Sequence, residues 1–146
     1  MRIELPDVNV LLALLDPMHL HHEKANLWYM GAASSGWATC PLTENGFVRI
    51  LSSPSYPGVR LRVEDALALL ETTIANPVVP YHFWSDSVNL RDSTLFTPSA
   101  IAGPKQITDV YLLGLCQQNV GTLITLDAGI TPTAIVSPHP DLLHIL

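Results

Sequence analysis

At 146 residues the chain is long enough for one hydrophobic core and short for two, so a single domain over residues 1–146 is expected. Hydrophobic residues make up 48% and charged residues 14%, a globular composition that excludes a disordered tail or a coiled coil. Seven Lys and Arg against thirteen Asp and Glu give a net charge of −6, which argues against binding by blanketing phosphates with basic side chains, yet suits divalent cations and a basic partner.

In chain order, residues 3–6 read as a short strand, followed by a turn and helix over 7–15 that Asp16-Pro17 closes. Residues 19–33 have helical spacing through Leu20, Ala25, Leu27 and Trp28, with Gly31 and Gly36 bracketing the exit. Residues 37–40 fit a buried strand, and Pro41 suits the first turn of a helix running to Leu51. After a Pro/Ser/Gly-rich loop, residues 63–76 repeat Val63, Ala66, Leu67, Leu70 and Ile74 as an amphipathic helix, and 77–81 supply a strand candidate. The pattern is weak from 84 to 102. Helix returns over 106–119, ending near Gly121; residues 122–126 are the strongest strand, and 134–136 a final short one. Strands alternating with helices imply an α/β fold, a central mostly parallel sheet flanked by helices.

Cys40 and Cys116 lack the spacing of zinc ligands or a disulfide framework and read as buried apolar thiols. The longest strictly apolar run, residues 10–15, is far short of a membrane span, and the first seven residues carry no export signal. The expected location is the cytoplasm.

The informative acids are those that interrupt apolar surfaces. Asp7 and Asp127 each close a strand. Glu44 shares a helix face with Phe47, Val48 and Leu51, and Asp109 one with Leu112, Leu113 and Cys116. Burying one such carboxylate without compensation costs several kcal/mol, and in a parallel sheet the strand ends and the following helix starts open onto one crevice. Gathered there, four carboxylates repel until a hard cation, Mg²⁺ or Mn²⁺, relieves them. Glu4 and Glu71 read as surface or edge residues. His19, His21 and His22 open a helix without partnering ligand spacing and are set aside as a metal site.

The segments 6–14, 40–52, 107–113 and 123–127, in this order and at these separations, make the chain resemble the PIN-domain family, specifically the VapC-type ribonuclease toxins of bacterial toxin–antitoxin pairs. That resemblance implies a metal-dependent endoribonuclease that restrains growth and is neutralised by a cognate antitoxin lying in its active-site groove. It implies Asp7, Glu44, Asp109 and Asp127 as the catalytic, metal-binding set, with Asn9 and Thr108 orienting ligands or water. Ala128-Gly129 follows Asp127 where many relatives carry a basic residue, a departure that bears on phosphate contact.

Candidate contacts to RNA are Arg49, Arg60, Arg62 and Lys105, with Tyr56 or Trp84 as stacking surfaces. Trp28, Tyr29 and Met30 leave one helix largely apolar and suggest a homodimer. One alternative is a catalytically silent PIN-like module that holds RNA or protein without cutting. Another is a phosphotransferase of the haloacid dehalogenase type, which would want a second Asp where Asn9 stands.

Overall fold

The structure, a computed structural model, describes residues 2–146. Five short strands, β1 (Glu4–Pro6), β2 (Trp37–Thr39), β3 (Tyr81–Phe83), β4 (Thr122–Thr125) and β5 (Leu143–Ile145), form one sheet in the order β3-β2-β1-β4-β5. Every pairing is parallel, with Leu5 opposite Leu123, Trp37 opposite Tyr81 and Leu123 opposite Leu143. The expected α/β architecture is therefore present.

The helices are α1 (Val8–Leu15), α2 (His22–Gly31), α3 (Pro41–Leu51), α4 (Val63–Ile74) and α5 (Ile107–Gln118). From β1 to β2 to β3 the chain steps one way across the sheet, and from β3 it returns past β1 to β4. With right-handed crossovers the two directions place helices on opposite faces. The cores follow that rule. On one face Val10, Leu11, Trp28, Trp37, Phe47, Leu51, Ala66 and Leu70 bring α1 to α4 onto the sheet. On the other, Leu5, Ala38, Leu123 and Phe96 pack against Leu112, Leu113 and Cys116 of α5. Alternation along the strands divides them, since Trp37 belongs to the first core and Ala38 to the second.

Several expectations change. The third strand begins at Tyr81 rather than spanning 77–81, because Pro80 supplies a carbonyl to Trp37 but has no N–H for the ladder. Residues 134–136 are not a sheet strand: Ile135 makes one isolated antiparallel bridge to Phe96, and the fifth strand is Leu143–Ile145. After α5 the left-handed residue is Val120, at φ 53°; Gly121 is required because a Cβ there would lie 2.4 Å from the Trp84 ring and 2.7 Å from the Ile3 carbonyl. Glu4 is no edge residue. It sits half-buried in the central strand and accepts a hydrogen bond from the Trp28 indole. Glu71 is exposed on α4.

Trp28 and Tyr29 are core side chains, which leaves Leu27 and Met30 as the exposed apolar residues of α2. Trp84 is buried in the α5 core and offers no stacking face, while Tyr56 is half-buried and donates its hydroxyl to Asp16. The His22 ring donates to the Ala13 carbonyl at 2.8 Å, satisfying an acceptor at the end of α1. Cys40 and Cys116 are free and buried, and burial raises both thiol pKa values. No helix among the described residues is long and apolar enough to cross a membrane.

Candidate active site at the sheet switch point

The strand order reverses between β1 and β4, so the carboxyl ends of these neighbours flank the crevice where parallel α/β sheets bind ligands. Asp7 follows β1 there and caps α1, accepting from the Val8 N–H at 2.7 Å. It is only 8% exposed. Asp127 lies just beyond β4, and its Oδ1 accepts from the Gly129 N–H at 2.8 Å. Asp127 is exposed, so the expectation that all four acids sit in apolar surroundings fails at this position, two residues past the strand.

A polar lattice ties the two strand ends together. The Thr125 hydroxyl donates to Asp7 Oδ2 at 3.1 Å and accepts from the Asp127 N–H at 3.1 Å. Asn9 Nδ2 reaches the same Thr125 oxygen at 3.2 Å and Asp7 Oδ2 at 3.4 Å, while Asn9 Oδ1 accepts from the Leu126 N–H at 3.1 Å. Asn9 thus bridges α1 and the end of β4.

Asp109 is half-buried in the first turn of α5, within electrostatic reach of Asp7 and Asp127. Burial pushes its carboxyl from the usual 3.8 up to about 6, with the Asp7 and Asp127 charges adding to the rise. Burial also raises Asp7, partly offset by its bonds from Val8 and Thr125, and Asp127 raises it further. Asp109 thus feels the charges of Asp7 and Asp127, and Asp7 that of Asp127.

Glu44 stands apart from that coupling. It lies in the first turn of α3, and its Oε2 accepts from the Thr39 hydroxyl at 2.5 Å; Tyr81 Oη lies 2.6 Å from Thr39 Oγ1 and 3.4 Å from Glu44 Oε2. Strand alternation gives the reason. Asp7 and Thr125 lie two residues beyond Leu5 and Leu123 of the α5 core, whereas Thr39 lies two beyond Trp37 of the opposite core. The rim is still shared, because α3 meets α1 where Gly46 approaches Val8 so closely that a Cβ would lie 2.8 Å from Val8 Cγ2. Beside Glu44, a groove between α3 and α4 is lined by Asn45, Val48, Arg49, Val63 and Leu67.

Thr108 is exposed on α5, and the hydroxyl that reaches Asp7 is that of Thr125 instead. Sequence reading missed Thr125, Thr39 and Tyr81. The available signal for the two threonines is a Thr at the carboxyl end of a strand, after Trp37-Ala38 in β2 and after Leu123-Ile124 in β4. Among the basic candidates, Arg49 is exposed beside Glu44 and Lys105 is exposed just before α5. Arg60 donates to the Ser52 carbonyl at 2.8 Å, and Arg62 pairs with Glu64.

Among the described residues no three His, Cys, Asp or Glu side chains converge into a ready-made metal cage. The donor set nonetheless fits a hard divalent cation: all its ligand atoms are oxygen, and Asp7, Asp109 and Asp127 carry mutual repulsion that such a charge relieves.

A parallel sheet in this order, with carboxylates gathered at its switch point, is the framework of a PIN-type domain. No protein-family model matches the chain. Among proteins of Mycobacterium tuberculosis, it is 44% identical to Ribonuclease VapC44 over 129 residues, 88% of this chain and 89% of the relative. It is 38% identical to Ribonuclease VapC38 over 142 residues (96% and 97%), and 35% identical to Ribonuclease VapC39 over 128 residues (88% and 91%). The chain belongs to the VapC ribonuclease family.

Proposed function

We propose that the chain is the toxin of a bacterial toxin–antitoxin pair, a single-domain cytoplasmic endoribonuclease that hydrolyses RNA phosphodiesters with Mg²⁺ or Mn²⁺. The observation that carries this reading is the mutual charge repulsion of Asp7, Asp109 and Asp127 at the switch point, in a chain of the VapC ribonuclease family.

In this reading Asp7 and Asp109 are the principal metal ligands, with Asp127 and Glu44 completing the acidic set. A divalent ion held there supplies a polarised phosphoryl oxygen and a bound water of lowered pKa. The protein's own work is orientation. Thr125 and Asn9 hold Asp7 Oδ2, the Val8 N–H holds Oδ1, and the Asp127 N–H locks Thr125 in turn. Arg49, exposed on the helix that carries Glu44, and Lys105, exposed just before the helix that carries Asp109, meet backbone phosphates; Arg60 and Arg62 would first have to leave their intramolecular partners. The net charge of −6 favours a basic antitoxin segment, whose arginine would occupy the place of cation or phosphate. Exposed Leu27 and Met30 give a homodimer an apolar contact, which light scattering would register.

The decisive experiment incubates the purified chain with structured RNA, with and without Mg²⁺ or Mn²⁺, beside Asp7→Asn and Asp109→Asn. Cleavage by the unaltered chain alone, abolished by chelation, is expected. Divalent-independent cleavage would remove the metal from the proposal, and tight RNA or protein binding without any cleavage would favour the silent module instead.

A further inference from the structure

Glu44 belongs to the proposed acidic set, yet its carboxylate is held by a separate pair of hydroxyls. Thr39 is fully buried, and its single proton lies between two oxygens, Glu44 Oε2 at 2.5 Å and Tyr81 Oη at 2.6 Å. A carboxylate only accepts, so Thr39 donates to Glu44 and the Tyr81 hydroxyl donates to Thr39. The order Tyr81 to Thr39 to Glu44 is thereby fixed, and each bond polarises the next. Both hydroxyls approach the same oxygen, Oε2, and no hydrogen bond from the described residues reaches Oε1.

The anchoring is rigid. Tyr81 packs on Trp37, ring centroids 5.3 Å apart, and Trp37 is fully buried. Parallel pairing of β2 with β3 sets Trp37 opposite Tyr81, which gives the phenol its place along the sheet. Tyr81 lies on neither α1 nor α5, and it follows Glu44 by 37 residues.

We propose that Tyr81, acting through Thr39, is a positioning residue that orients Glu44 for RNA hydrolysis, an inference that rests on the nuclease reading above. Removing such a partner of a ligating carboxylate typically lowers metal affinity or activity 10- to 100-fold, so Tyr81→Phe is expected to lower kcat about tenfold with little change in KM. Thr39→Val is expected to lose at least as much, and Thr39→Ser to restore most of it.

The test is a double-mutant cycle. Tyr81→Phe is compared in the unaltered chain and in Glu44→Gln, whose residual cleavage is followed by single-turnover assay on labelled RNA. A positioning role predicts a loss in the first background and none in the second. Equal losses in both would show that Tyr81 acts by packing and would overturn the proposal. The ¹³C resonance of the Glu44 carboxyl separates this question from the nuclease reading, because it reports the hydrogen bonds whether or not RNA is cut. A shift on Tyr81→Phe supports the chain of hydroxyls, and an unchanged resonance refutes it.

Discussion

The hydroxyl of Thr125 donates to Asp7 Oδ2 at 3.1 Å, joining residues 118 positions apart in the chain. Through this bond the end of β4 fixes the rotamer of the acid at the end of β1. Thr125→Val keeps the shape but leaves Asp7 Oδ2 only the longer bond from Asn9 and takes the acceptor from the Asp127 N–H. Activity is expected to fall about 10- to 100-fold, as for other partners of ligating groups. The acid limb of the pH–rate profile should also move to higher pH, because a bond that lowers the Asp7 pKa is gone. Thr125→Ser should behave nearly as the unaltered chain, and a profile unmoved by Val would count against the role.

Asp109 makes the metal-free protein sensitive to pH. Its carboxyl titrates at about 6 when folded and near 3.8 when free. Between those values the unfolded chain has released the proton and the folded chain still holds it, so folding stability falls as pH rises through the window. The contribution is complete below 3.8 and gone above about 6. Urea melts of metal-free protein should show this fall, and Asp109→Asn should lessen it, leaving the smaller part that the raised Asp7 contributes.

A cation at the acid cluster reverses that penalty. At about 100 times its dissociation constant, a ligand specific for the folded state adds about 2.7 kcal/mol. Mn²⁺ should therefore raise the Tm of the unaltered chain, and Asp7→Asn and Asp109→Asn should lose most of the rise. Variants that retain it in full would place the ion elsewhere.

Gly114 lies on the inner face of α5, where an added Cβ would come within 2.1 Å of Phe96 Cζ. Gly114→Ala is expected to destabilise by about 1–3 kcal/mol through overpacking, despite the better helix propensity of alanine. Chemical denaturation would show it, and a stabilised variant would mean that Phe96 yields freely.

The helices are legible from apolar runs bounded by Pro, Gly and polar residues: α3 spans Pro41–Leu51 as the sequence suggests, and α5 differs from its expected range by one residue at each end. A strand of three residues shows too little alternation to read by itself; β1 and β2 are legible because helix-start signals at Asp7 and Pro41 follow them, and Leu143–Ile145 has no such mark. Leu143–Ile145 was missed for that reason, and Ala134–Val136 was chosen because three adjacent apolar residues resemble a strand before tertiary context decides. Asp7 and Asp109 could be picked out because each interrupts an apolar surface. The parity that sends Glu44 towards Thr39 and Tyr81 depends on where β2 ends. One residue of error there moves a side chain to the other face, which is why the hydroxyl network escaped notice.

The pairing of Leu5 with Leu123 has a temporal consequence. A nascent chain emerging from the ribosome exposes Asp7 first but cannot assemble the neighbourhood that acts on it until β4 has been synthesised. Closure of so long a loop brings no contacts until it is nearly done. Until β4 is made, Asp7 lacks both the Thr125 hydroxyl and the Asp127 charge beside it, so the arrangement at the switch point is complete only late in synthesis.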